Sequence, residues 1–138
     1  MGKQLSYDEI VIGQTAFMKK YVSAEDVKSF AEILNDNESF HISDEAAGKS
    51  PFKKRICHGI HIASYISELI GKELPGFGTI YCNQTINFIN PLYIDSYITI
   101  EVTVLEKLNG HRIKIFTEIT DDNNNKILDG NAIVKTCK

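Results

Sequence analysis

The chain has 138 residues, 43% of them hydrophobic and 24% charged. That is enough for one core and too little for two, so residues 1–138 are read as a single domain. Fifteen basic residues against eighteen acidic ones leave a net charge of −3, which argues against the broad basic face that nucleic-acid binding needs.

Thr15 to Val22 is β-prone and reads as an early strand. Ser23 then offers a helix cap, with Glu25 and Asp26 near the positive end of the dipole and Val27, Phe30, Ala31 and Leu34 at helical spacing. Asn35, Asp36 and Asn37 compete for backbone bonds and predict its end. Ser43 to Ala47, closed by Gly48, reads as a short second helix. Gly59 to Lys72 is a third helix, apolar nearly all round, which predicts that it is buried.

Pro75, Gly76 and Gly78 break the chain, and strands fill the rest. Thr79–Phe88 is expected as one strand, and Tyr97–Leu105, Ile113–Ile119 and Ile127–Thr136 as three more. Asn109-Gly110 and the run Asp121 to Asn125 are turn sequences between them. Consecutive antiparallel strands after one buried helix predict an α+β fold, a sheet wrapped around that helix.

No apolar run reaches the ~18–20 residues of a membrane span, and the first ten residues lack the apolar stretch of a secretory signal. Cys57, Cys82 and Cys137 are widely spaced, with no CxxC, so neither a disulfide framework nor a zinc site is expected. Free thiols and no signal point to a cytoplasmic protein.

Two places offer chemistry. Asp36 and His41 stand five residues apart in the irregular segment after the first helix, and an acid and an imidazole held together can share a water. Gly59 follows Cys57-His58 at the entry of the apolar helix, where unpaired N–H groups can polarise a carbonyl. His61, in the first turn of that helix, reads as structural, and His111, after Asn109-Gly110, as an exposed turn residue.

The runs Val22 to Ala31, Asp36 to His41, Arg55 to Ile60, Leu74 to Tyr81 and Asn87 to Ile94 together resemble the MaoC-like, (R)-specific enoyl-CoA hydratase family. The likeness extends from about Gly13 to Lys135, in the right order and spacing. It implies a hot-dog fold, one antiparallel sheet around a long central helix, and reversible hydration of trans-2-enoyl-CoA to (R)-3-hydroxyacyl-CoA. It places the catalytic pair on Asp36 and His41, the thioester-oxygen donor on Gly59, and the serine that supports the water site on Ser67. It implies no metal, no cofactor and a homodimer.

This sequence departs from the family pattern at three points. Glu38 and Ser39 stand where the family carries Asn and Pro. Proline would fix φ, so Ser39 predicts a looser loop. Glu38 would raise a carboxylate pKa if it pointed inward and leave the site unaffected if it pointed out. Asp95-Ser96 replaces a Gly-Asp pair, read as a loop change. Lys53, Lys54 and Arg55 form the basic cluster near the active segment, a candidate contact for CoA phosphates. Three competing readings are an acyl-carrier-protein dehydratase, a non-catalytic acyl-thioester binding module, and a thioesterase using Glu68 on the central helix.

Overall fold

The computed structural model describes residues 2–138. Strand β1 (Thr15–Val22) leads into helix α1 (Ala24–Leu34), which Ser23 starts as its capping pattern predicts. Ser23 Oγ accepts from Asp26 N–H, and Asp26 Oδ2 accepts from Ser23 N–H in return. The helix ends on Asn35, left-handed at φ 54°, and Asp36 N–H returns to the Ala31 carbonyl at 2.9 Å. A short α2 (Asp44–Gly48) precedes α3 (Gly59–Lys72), whose bounds match the expected central helix.

Five strands follow: β2 (Ile80–Gln84), β3 (Asn87–Phe88), β4 (Ser96–Leu108), β5 (Arg112–Asp121) and β6 (Lys126–Lys135). With β1 they form one antiparallel sheet in the order β1-β4-β5-β6-β2, with β3 also on β6. Ile98, Ile100, Val102 and Val104 alternate inward along β4 and share one apolar cluster with Ile62, Ile66, Leu69 and Ile70 of α3. Each such isoleucine or leucine contributes ~1.5–3 kcal/mol by leaving water. The expected α+β arrangement is therefore the one observed.

Two details differ from the sequence expectation. The single strand expected over Thr79–Phe88 is split into β2 and β3. Gly130 of β6 explains the break: a Cβ there would lie 1.7 Å from the Thr85 carbonyl oxygen, so the chain crosses β6 where no side chain stands in the way. Thr85 N–H bonds the Asn131 carbonyl at 2.9 Å at this crossing.

The second difference is α3, which is not buried all round. Ile60, Ser64, Ser67 and Gly71, spaced to share one face, are exposed, Ile60 by 60%. Three of the four are small or polar, so the face carries little apolar bulk to bury. The sequence reading weighted the total count of apolar residues over this stripe.

Candidate active site

Asp36 emerges from the left-handed end of α1 with its backbone tied to Ala31. Three donors meet its carboxylate: Ser39 N–H on Oδ1 at 3.2 Å, and Ser39 Oγ at 2.7 Å and His58 Nε2 at 2.9 Å on Oδ2. The Ser39 hydroxyl, then the His58 ring, hold this carboxyl below the usual carboxylate range, at about 2. The looser loop expected from Ser39 is not what forms. Its hydroxyl donates to Asp36 and accepts from His41 N–H at 3.1 Å, so hydrogen bonds hold the segment.

His41 is fixed from two sides. Its Nδ1 lies 2.7 Å from the Ile56 carbonyl oxygen. A carbonyl only accepts, so Nδ1 carries the proton and Nε2 keeps its lone pair. Arg55 Nε–H donates to the His41 carbonyl at 2.8 Å. Burial pushes the His41 imidazole below its ordinary pKa, helped by nearby His58 and opposed by the Ile56 bond and Asp36. The ring is neutral at pH 7, the form that takes a proton.

His58 is the site residue that sequence reasoning missed. It precedes α3, is only 8% exposed, and reaches Asp36 across 22 residues of sequence. Its ring stacks on His41 with centroids 3.8 Å apart, and its Nδ1 is buried without a hydrogen-bond partner among the described residues. A polar residue at the mouth of an apolar helix was the available signal; its partner was visible only in the fold.

Asp36, His41 and His58 offer atoms within 4.8 Å of one another. One water can bridge two partners up to ~5.6 Å apart, so the group can hold one. The spacing would also suit a cation. The carboxylate already has three donors and His41 Nδ1 a carbonyl, so the group is arranged to handle protons.

His41 lines an apolar cavity of about 510 Å³ that Gly59, Phe40, Phe52, Cys57 and Phe88 also line. Gly59 begins α3, which has no side-chain cap and no acidic residue in its first turn. Its leading N–H groups therefore lack intrahelical partners. The Phe88 ring of β3 rests against Gly59, 2.7 Å from where a Cβ would stand. Burial pushes the Cys57 thiol up to about 12, so it stays protonated in the cavity wall. Asp36 lines a separate cleft with Arg55 and with Glu25, Lys28 and Glu32 of α1. The Asp36–His41 group thus stands between a polar cleft and an apolar cavity.

The remaining candidates lie apart. Ser67 is on the exposed face of α3. Glu38 is exposed, the outward alternative. Lys53 and Lys54 are exposed, whereas Arg55 bonds His41. Glu68 pairs with Lys20 and Lys72, which hold its carboxyl below the usual range. Asp95 takes a left-handed backbone at φ 59°, and its Oδ1 accepts Ala24 N–H at the start of α1. His61 is buried and bonds Tyr65, and His111 sits exposed at its turn.

The MaoC-like domain profile matches residues 11–125. A 3-hydroxybutyryl-CoA dehydratase of Methylorubrum extorquens is 36% identical over 134 residues, 97% of this chain and 85% of that one. An (R)-specific enoyl-CoA hydratase of Rhodospirillum rubrum is 32% identical, over 93% of this chain and 89% of that one. The unliganded R-hydratase PhaJ1 of Pseudomonas aeruginosa superposes with a TM-score of 0.92 at 31% identity, over 98% of this chain and 87% of that one. The fold is the hot-dog arrangement that the resemblance implied.

Proposed function

The chain belongs to the MaoC-like family of hydratases and dehydratases, and from that premise we propose that it adds water reversibly to trans-2-enoyl-CoA to give (R)-3-hydroxyacyl-CoA. One observation carries the reading. His41, its tautomer set by Ile56, stands in the wall of the apolar cavity that also receives the uncapped start of α3 at Gly59.

The thioester oxygen lies at Gly59, where a free N–H and the helix dipole take up negative charge. Water sits between Asp36 and His41. It donates one hydrogen bond to the carboxylate and gives its other proton to Nε2 of His41. Its oxygen bonds C3, and the C2–C3 π pair moves into the thioester as an enolate. The new Nε2–H then protonates C2, which restores neutral His41. Oxygen and hydrogen arrive from one side, so the addition is syn. Ser67, on the exposed face of α3, is the proposed support of the water site.

The proposed assembly is a homodimer. Ile80, Tyr81, Cys82 and Asn83 of edge strand β2 are exposed in succession, so both faces of that edge lack cover, and the α3 stripe is open as well. Lys53 and Lys54 are the proposed contacts for CoA phosphates. No helix among the described residues is long and apolar enough to cross a membrane. Three free thiols suit a reducing, cytoplasmic setting.

The test is crotonyl-CoA hydration, followed by loss of enoyl absorbance with product chirality determined. Wild type should form (R)-3-hydroxybutyryl-CoA. A parallel assay with crotonyl-carrier protein separates the two carriers, and thioester binding without turnover on either would establish the binding-module reading instead.

A further inference from the structure

We propose that Ser39 and His58 are positioning residues that clamp Asp36 as a fixed hydrogen-bond acceptor, which leaves His41 to take the proton of the attacking water. The proposal rests on the hydration reading above. A carboxylate has about four lone-pair sites. Ser39 N–H, Ser39 Oγ–H and His58 Nε2–H occupy three of them. One site, on Oδ1, is left for a water hydrogen.

The Ser39 hydroxyl does two jobs at once. It donates to Asp36 and accepts from the backbone N–H of His41, so a single side chain sets the acceptor against the base. The segment is anchored at both ends, by Asp36 N–H on the Ala31 carbonyl at 2.9 Å and by Ser43 N–H on the Ser39 carbonyl at 3.0 Å. His58 closes the clamp from the start of α3.

Three hydrogen bonds donated to the carboxylate are stronger when it is charged, so they favour the ionised form. Its low pKa agrees with that. The charged and titratable groups around it are Glu25, Lys28 and Glu32 on α1, Arg55 before α3, His58 at the mouth of α3, and His41 and exposed Glu38 on its own loop. Among Asp36, His41 and His58, His41 alone lines the apolar cavity.

The experiment compares full-length wild type with Ser39→Ala, Ser39→Thr, Ser39→Pro and His58→Leu. It reads kcat and KM for crotonyl-CoA across pH, melting temperature, and the 13C carboxyl titration of Asp36. Ser39→Ala should lower kcat about 10- to 100-fold, the scale of a small misplacement of catalytic groups, with KM within about twofold. The acid limb of kcat/KM should stay in place, since His41 sets it. Ser39→Thr keeps the hydroxyl and should recover most of the rate. Ser39→Pro lacks both hydroxyl and N–H and should fall at least as far as Ala, although proline is the residue the family pattern carries. In the titration, Asp36 should rise in Ser39→Ala and in His58→Leu.

Wild-type rates in folded Ser39→Ala and Ser39→Pro would overturn the clamp, as would an acid limb that follows Asp36. If the wild type hydrates nothing, the functional reading fails and the carboxyl titration still decides the clamp: an Asp36 that titrates alike in all variants overturns it. Should His58→Leu not fold, the Ser39 variants carry the same test.

Discussion

The two ends of α3 are built in opposite ways. At its C-terminus the Leu69 and Ile70 carbonyls accept from Glu73 and Gly76 N–H groups, each at 2.9 Å. Lys72 sits in the last turn, where a cation complements the dipole, and pairs with Glu68. At its N-terminus there is no side-chain cap, no acidic residue and a glycine with a phenylalanine ring laid against it. A closed end serves the fold. An open end leaves N–H donors without intrahelical partners, and the proposed function gives them the thioester oxygen. The polar group of Asp36, His41 and His58 is gathered at the open end only.

The sharpest way to break this comparison is to remove the proposed base. His41→Ala should lower crotonyl-CoA hydration about 100- to 10,000-fold, the usual contribution of a general acid–base group, with little loss in melting temperature. A large loss of stability would mean that the open end supports the fold as well. Gly59→Ala is the next largest. The new methyl must displace the Phe88 ring beside the helix N–H groups, and kcat/KM should drop about tenfold. Replacing glycine at the first helical position gains less than the ~1 kcal/mol of a helix interior and offsets part of the packing cost, so the melting temperature should move little.

Acid sharpens the comparison further. Burial holds the folded His41 and His61 imidazoles below 6.5, so as pH falls below 6.5 the unfolded chain takes those protons first and stability declines. Asp36 has a folded pKa of about 2 against an ordinary 3.8. Its contribution is full above about pH 4 and is lost between there and about pH 2, with Glu68 of the closed end declining in the same acid range. Urea midpoints at pH 7, 5.5, 4 and 3 should show the histidine loss before the carboxylate loss. The smallest effect belongs to the closed end: Lys72→Ala removes an exposed i,i+4 pair worth about 0.3–0.5 kcal/mol and should leave kcat/KM unchanged.

Local pattern explains which parts could be read in advance. The bounds of α3, the Ser23 cap and the alternation of β4 to β6 depend on neighbours in sequence, and all were legible. The Asn109-Gly110 turn was too, with Gly110 at φ 72° and His111 at φ 58°. The break after β2 was not, because it depends on a missing side chain at Gly130, 45 residues from Thr85. The same holds for His58, whose bond to Asp36 spans 22 residues. Ser39 was visible as a departure from the family pattern, but the loss of a rigid ring was weighed without the hydrogen bonds a hydroxyl can make.

Hydration of crotonyl-CoA in D2O, with the C2 and C3 configurations of the product resolved by NMR, tests the central claim most directly. A neutral His41 that takes and returns the proton beside Asp36 predicts one deuterium at C2, on the same face as a C3 hydroxyl of R configuration. Anti addition, a scrambled C2 label, or an S hydroxyl would contradict it.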